Sequence, residues 1–355
     1  MKIKAAVTRV KGGPFELEEL ELGELRDDEV LVNVSASGIC HTDLICRDQW
    51  LPVPLPAVLG HEGAGVVRAI GSSVTKVAVG ERVGMTFDSC GSCVCCRRGK
   101  PTYCHHFFEH NFAAARAADG SSALSRDGES VHAHFFGQSS FATAAVARER
   151  NVVSIESAIP LDIVAPFGCG IQTGAGAVLN TLAVPAGSSI AVFGTGAVGI
   201  SAVLAAVIAG CQTIIGIDLH PARLELAREL GATHVIDASS TDAVEEIRRV
   251  SGYGVDFSLD TTGSPAVLRS AVDCLAPLGV AGLIGGSPGG TEVSLDMTDI
   301  LVGGRTLRGV VEGDSVPEIF LPQLIRFWEA GRFPVDRFMK HYDFDAIEEA
   351  ARDAE

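Results

Sequence analysis

The sequence predicts an α/β protein in two parts, a β-rich N-terminal region followed by a doubly wound parallel sheet. Three observations carry this reading. A chain of 355 residues exceeds what one ordinary core organises, so two domains are expected. Before Leu161 the chain is rich in glycine and in short apolar runs, with few long helical patterns. From Ser189 onward, apolar strands alternate with helical segments, the pattern of a parallel sheet covered by helices on both faces.

Segments 3–10 and 29–37 read as strands; in the second, Val30, Val32 and Val34 alternate with Leu31, Asn33 and Ser35 at a period near two. Segment 63–71 is a glycine-bounded strand and 80–84 a shorter one. Segment 163–184 is helical in composition, rich in Ala and Leu but interrupted by glycine. Strands at 189–193, 213–218, 234–237, 255–260 and 280–285 then alternate with helices at 198–209, 221–230, a stretch ending at Arg249, and 266–275. Helical segments at 317–330 and 345–351 close the chain.

A formal net charge of −16 opposes a nucleic-acid partner, because phosphate contacts need clustered Lys and Arg, and it opposes an anionic membrane surface as well. No apolar run reaches the roughly 20 residues of a membrane span. Met1-Lys2-Ile3-Lys4 is followed by no apolar signal region, so a cytoplasmic protein is expected. In such a compartment clustered cysteines point to metal or catalysis rather than to disulfides.

The densest local signal is Cys90-x2-Cys93-x2-Cys96-x7-Cys104. Four thiolates this close wrap one tetrahedral ion and leave no seat for a substrate, so the expected role is structural. Cys95 offers a competing register; the even step through Cys90, Cys93 and Cys96 favours Cys95 as a spare thiol. A zinc ribbon for nucleic acid is supported only by Arg97-Arg98-Gly99-Lys100 and opposed by the acidic whole. Elsewhere Cys40, His61 and Cys169 make a set of two thiolates and one imidazole, and three protein ligands with an open fourth position are how a catalytic zinc is held.

Gly194-Thr195-Gly196-Ala197-Val198-Gly199 follows a predicted strand and opens a predicted helix, the setting in which this glycine pattern cradles a pyrophosphate at a helix N-terminus. Asp218, at the end of the next strand, suits a ribose diol and repels a 2′-phosphate, which favours NAD over NADP. The alternative for Asp218 is a cap on the helix at Pro221.

Cys40-His41-Thr42-Asp43, Gly60-His61-Glu62, the four-cysteine lobe, Gly168-Cys169-Gly170 and Gly194–Gly199 occur in one order. Together they resemble the zinc-dependent medium-chain alcohol dehydrogenases over nearly the whole chain. Phe135-Phe136-Gly137-Gln138-Ser139-Ser140-Phe141 is similar to the aryl (benzyl) alcohol dehydrogenase branch. The resemblance implies a GroES-like catalytic domain over 1–165, a Rossmann NAD-binding domain over 166–305 and a return to the catalytic domain over 306–355. It implies two zinc ions per subunit, a catalytic one on Cys40, His61 and Cys169 with Glu62 beside it, and a structural one on Cys90, Cys93, Cys96 and Cys104. Asp43 is implied to orient the ligand histidine, Thr42 to hand on the alcohol proton, and His41 to lie near the pyrophosphate. Thr173, Val198, Arg223 and Ile284 fall at cofactor-lining positions beside Gly194, Gly196, Gly199 and Asp218. The implied reaction is reversible oxidation of a small primary alcohol, aryl or allylic, to the aldehyde by NAD, in a homo-oligomer, dimer or tetramer. Trp50, Leu51, Phe87, Phe135, Phe136 and Val311 are the pocket candidates.

Two departures from the family pattern stand out. Ile45 occupies the position of a proton-relaying histidine, and the sequence ends at Glu355 where the family adds a basic, strand-forming tail. Arg116 and Arg126 keep open a thiol-dependent formaldehyde dehydrogenase, whose pocket needs a base for the thiol's carboxylate. A zinc-less quinone-reductase or crystallin-like binding protein is opposed by the presence of Cys40, His61 and Cys169.

Overall fold

The computed structural model describes residues 1–354. Two compact units emerge: one from Met1–Cys169, Val316–Glu329 and the chain from Pro334, the other from Gly170–Ser315 and Ala330–Phe333. Among the described residues no helix is long and apolar enough to cross a membrane.

The first unit is built on two five-stranded sheets. One runs Ala57–Val58, Lys2–Thr8, Phe15–Leu22, Leu124–Arg126, Glu129–Val131, with every pairing antiparallel. The strand Phe15–Leu22 escaped the sequence reading, yet Phe15, Leu20 and Leu22 are buried while Glu16, Glu19 and Glu21 face solvent. The other sheet runs Val152–Ser154, Arg82–Met85, Glu62–Ile70, Glu29–Gly38, Ala144–Arg148 and is also antiparallel. Its strand Glu29–Gly38 begins on a buried carboxylate: Glu29 accepts from Arg116 Nε and Nη2 at 2.6 and 2.8 Å.

The segment expected as a helix over 163–184 is broken. A turn of α-helix at Leu161–Val164 passes into a 3-10 turn at Ala165–Gly168, and Cys169 leaves the helical region at φ −142° and ψ −84° before a new helix, Gly170–Gly176. Pro166 and the close approach of Gly168 account for the break: a Cβ on Gly168 would lie 2.1 Å from the Met85 carbonyl oxygen. The interruption takes Cys169 out of a helix and gives it its own direction.

The second unit carries a six-stranded parallel sheet in the order His234–Asp237, Thr213–Asp218, Ser189–Phe193, Val255–Asp260, Leu275–Leu283, Thr306–Gly309. This is the doubly wound order, with Ser189–Phe193 at the point where strand succession reverses. Thr306–Gly309 pairs with Leu275–Leu283, so the chain through Ser315 stays with this sheet and returns at Val316, where the sequence reading places the return after residue 305. Helix Ala197–Ala209 is apolar on all sides, and Gly199 through Ala206 are buried. It ends at Gly210 in a left-handed conformation.

Glycines in Gly170–Gly176 are packing requirements. A Cβ on Gly174 would sit 2.0 Å from the Val198 carbonyl oxygen, and one on Gly176 would sit 2.4 Å from that of Gly313. Gly313 lies in a run of three left-handed residues with Glu312 and Asp314. The run is pinned by Gln172 Nε2 and Thr173 Oγ1 donating to Glu312, Asn180 Nδ2 donating to the Gly313 carbonyl, and Arg308 pairing with Asp314. Two non-glycine residues held at positive φ persist only where the surroundings over-determine them.

Gly174→Ala is expected to destabilise the protein by about 1–3 kcal/mol through overpacking. Gly289→Ala, whose Cβ would meet nothing within 4 Å, is the control. Thermal melts of the two variants check this, and equal midpoints would contradict the close helix crossing.

Candidate active site and metal centres

Helix His41–Arg47 begins at Cys40, and Asp43 in its first turn folds back to accept a hydrogen bond from the Cys40 amide at 3.0 Å. The other oxygen of the same carboxylate accepts from the Gly60 amide at 3.0 Å and lies 2.9 Å from His61 Nδ1. Asp43 is fully buried. A buried carboxylate is acceptor-only, so Nδ1 carries the proton and the Nε2 lone pair points the other way.

That Nε2 atom is buried and has no hydrogen-bond partner. Buried polar atoms are normally satisfied, so an orphan of this kind calls for a ligand. The donor atoms of Cys40, His61, Glu62 and Cys169 all lie within 4.8 Å of one another. The Cys40 thiol is held well below its ordinary pKa by hydrogen bonding with Cys169 first, and by His61, against burial. Burial opposes charge on the His61 ring, but Asp43 and Cys40 outweigh it and hold that pKa well above the usual histidine value, so a metal ion binding Nε2 would take the place of a proton there. Cys40 therefore favours thiolate, the form of cysteine that binds metal. Two thiolates and an imidazole with a carboxylate alongside fit a zinc ion of the catalytic type.

Thr42 is half-buried, with Oγ1 3.7 Å from Cys40 Sγ. His41 is exposed on the same turn, and Ile45 is half-buried. Glu62 is buried, and its side chain covers Gly38 so closely that a Cβ there would lie 2.0 Å from Oε2.

The support around His61 was not legible as function. Gln138 Nε2 donates to the His61 and Thr86 carbonyls, and Gln138 Oε1 accepts from the Gly63 amide. Thr86 Oγ1 in turn donates to the Gly168 carbonyl at 2.8 Å, one residue before Cys169. Asn151 Nδ2 donates to the carbonyls of Thr86, Phe136 and Gly137. One polar network thus holds the segments bearing His61 and Cys169. Its partners lie far apart in sequence; Gln138 entered the reading only within a family-like stretch, and Asn151 with no signal at all.

The four-cysteine lobe also closes. Donor atoms of Cys90, Cys93, Cys96 and Cys104 lie within 4.8 Å of one another, and Cys95 is outside the set. Tetrahedral zinc–sulfur bonds of about 2.3 Å place sulfurs about 3.8 Å apart; Cys90 and Cys96 Sγ are 3.9 Å apart. Amides of Ser92 and Cys93 donate to Cys90 Sγ, and amides of Cys90 and His106 donate to Cys104 Sγ. Burial opposes ionisation of Cys90, but its amide donors bring that thiol down to about 5, while burial pushes Cys104 up to about 12. His106 pairs with Glu109 and His110 with Asp88.

Three pocket candidates are buried. Phe135 is fully buried, and Phe87 and Phe136 are nearly so, all in one core cluster with Phe141. Phe136 stacks against the His61 ring at 4.5 Å and Phe135 meets it edge-on at 5.6 Å. These rings hold His61 from behind, and Phe135 has no surface to offer a substrate. Trp50 is 60% exposed, Leu51 packs partly buried against the same core, and Val311 is half-buried in the second unit. Arg116 and Arg126 are both engaged, with Glu29 and Glu18 respectively. Arg116, largely buried in its pair, is not available to a thiol's carboxylate, while Arg126 keeps 46% of its side chain exposed.

In the second unit, the three glycines of the 194–199 loop have different reasons to be glycine. Gly194 is left-handed, and a Cβ on Gly199 would lie 1.8 Å from the Gly194 carbonyl oxygen. Gly196 has an ordinary φ of −70°, and its Cβ would meet nothing. No internal contact demands glycine there, so the demand comes from a ligand approaching the backbone at the start of Ala197–Ala209, as a pyrophosphate does. Asp218 ends the neighbouring strand, nine-tenths buried. Val198 is half-buried in the first turn of the helix, Arg223 is exposed in Pro221–Glu229, Ile284 follows Leu275–Leu283, and Thr173 is buried against Glu312.

Residues 26–157 match the alcohol dehydrogenase GroES-like domain family and residues 197–329 the zinc-binding dehydrogenase family. The chain is 44% identical to geraniol dehydrogenase of Castellaniella defragrans over 348 residues, covering 98% of this chain and 93% of that one. The crystal structure of benzyl alcohol dehydrogenase from Acinetobacter calcoaceticus superposes with a TM-score of 0.97 at 48% identity, over 100% of this chain and 96% of that one. An alcohol dehydrogenase zinc-binding domain protein from Burkholderia ambifaria gives a TM-score of 0.98 at 52% identity, with the same coverage. The chain belongs to the zinc-dependent medium-chain alcohol dehydrogenases. It is thus a zinc-binding, nicotinamide-dependent alcohol dehydrogenase with a GroES-like domain and a Rossmann-type sheet, and its substrates are small-molecule alcohols.

As an alcohol dehydrogenase of this kind, the protein is expected to bind two zinc ions per chain. Cys96→Ser should leave one and lower the melting temperature, whereas Cys95→Ser should keep both. Metal analysis of the purified variants decides; loss of zinc from Cys95→Ser would overturn the ligand register.

Proposed function

We propose that the protein oxidises primary aryl or allylic alcohols to aldehydes with NAD. The observation that carries the chemistry is the Cys40–His61–Cys169 cluster with its orphaned Nε2. Cys40, His61 and Cys169 would hold the catalytic zinc, with Glu62 beside it, and the four-cysteine lobe a structural one. When bound, zinc supplies Lewis acidity to the alcohol oxygen and NAD supplies the hydride acceptor.

The chain's own residues do the rest. Asp43 fixes the tautomer and direction of His61. Thr42, whose hydroxyl both accepts and donates, takes the alcohol proton and passes it on. Ile45 carries no proton, so His41, exposed on the same turn, delivers it to solvent. Asp218 disfavours a 2′-phosphate and so selects NAD. Thr173, Val198, Arg223 and Ile284 line the cofactor, and Trp50 and Leu51 are pocket candidates of the first unit, Val311 of the second.

The substrate class rests on the relatives, one named for geraniol, an allylic primary alcohol, and one for benzyl alcohol. Both oxidise at a carbon next to a π-system, which stabilises the carbonyl that forms. A homo-oligomer is supported by the sheet's outermost strand, Thr306–Gly309, beside the exposed Leu278, Met297, Leu301 and Val302.

Ranking benzyl alcohol, geraniol and ethanol by kcat/KM with NAD and with NADP tests the reading. Benzyl alcohol and geraniol should exceed ethanol with NAD, and a preference for ethanol would contradict it. His41→Ala should shift the pH profile of single-turnover hydride transfer; an unchanged profile removes His41 from the proton route.

A further inference from the structure

The Asp218 carboxylate, which the proposed NAD reading assigns to the adenosine ribose, is already saturated within its own unit. Oδ2 accepts from the Thr195 amide at 2.7 Å and from Thr195 Oγ1 at 3.0 Å. Oδ1 accepts from the Leu219 and His220 amides at 2.8 and 3.0 Å. A carboxylate offers about four lone-pair sites, and all are engaged. A ribose diol brings two new donors to the same oxygens, so at least one existing donor must yield.

Three of the four donors are backbone amides, fixed by the glycine loop and by the turn into Pro221–Glu229. Only the Thr195 hydroxyl rotates. Thr195 is 1% exposed, and its methyl packs toward Gly216, where a Cβ would approach it to 3.3 Å. A displaced hydroxyl therefore has no direct access to water, and displacing it carries a penalty. We propose that the Thr195 hydroxyl is a built-in competitor for the carboxylate that takes the adenosine ribose, and so sets how tightly the cofactor is held and how fast it leaves. Backbone contacts at Leu219 and His220 keep Asp218 in place whether or not the hydroxyl is bound. In many enzymes product release, not chemistry, limits turnover; a weakened ribose contact favours departure.

The test uses Thr195→Val, which keeps the branched shape and removes the hydroxyl, Thr195→Ala as a second hydroxyl-free variant, and Thr195→Ser, which retains the hydroxyl. NADH is titrated onto the purified zinc-loaded proteins by fluorescence without alcohol, and its dissociation rate is read by stopped flow. Thr195→Val and Thr195→Ala should bind NADH about two- to tenfold more tightly, the worth of one ordinary hydrogen bond, and release it more slowly, with Thr195→Ser like the parent. Unchanged or weaker binding in both hydroxyl-free variants, or tighter binding in Thr195→Ser, would overturn the role of Thr195. The parent is also titrated with NADPH. If it binds NADPH as tightly as NADH, the assignment of Asp218 to the ribose fails instead, and the role of Thr195 falls with it.

Discussion

The site in the first unit depends on one buried carboxylate. Asp43 gathers the Cys40 amide, the Gly60 amide and the His61 ring onto two oxygens. Burying a carboxylate is costly unless its oxygens are fully hydrogen-bonded. Here the bonds that offset that cost also fix the start of a helix, a turn at positive φ and a ring tautomer. Cys40 and His61 are separated in sequence by a helix, a loop and a short strand, and one side chain sets both. Phe135 and Phe136 close off the other sides of the ring, so His61 Nε2 has a single direction left. The network from Gln138 through Thr86 to the Gly168 carbonyl extends the same control toward Cys169.

In the second unit the constraint is backbone proximity. Gly174 and Gly176 let one helix meet another and a left-handed turn at van der Waals distance. Gly194 and Gly199 close the loop on itself, and only Gly196 is left glycine for something outside the chain. Asp218 shows the complementary economy: the carboxylate that shapes the loop is the one a ribose would need, so loop stability and cofactor affinity draw on the same lone pairs.

Features written in local spacing were legible in the sequence. The four-cysteine register, with Cys95 set aside, and the glycine loop between a strand and a helix are of this kind, because their geometry is determined within a few residues. The doubly wound sheet was legible through alternation, though its last strand, Thr306–Gly309, was not, being short and exposed along its length. Phe15–Leu22 was hidden because its alternating residues are glutamates, one of them buried against Arg9 and Arg126. The break at Cys169 was hidden because Ala- and Leu-rich composition reads as helix whatever Pro166 and Gly168 do locally. The burial of Phe87, Phe135 and Phe136 was hidden for a general reason: composition says that a ring is apolar, not how deeply it packs. The engagement of Arg116 by Glu29 joins residues distant in sequence, and only the fold shows that this guanidinium is spent.

The central claim is that Asp43 organises the Cys40–His61–Cys169 site by accepting three hydrogen bonds. The most direct measurement is zinc affinity of Asp43→Asn by chelator competition, monitored together with total zinc per chain. An asparagine keeps the shape but has one acceptor oxygen and an amide that cannot accept from the His61 ring. The account predicts that one zinc per chain weakens by about 10–100-fold while the four-cysteine zinc is retained at its original affinity. Equal retention of both ions in Asp43→Asn would contradict it.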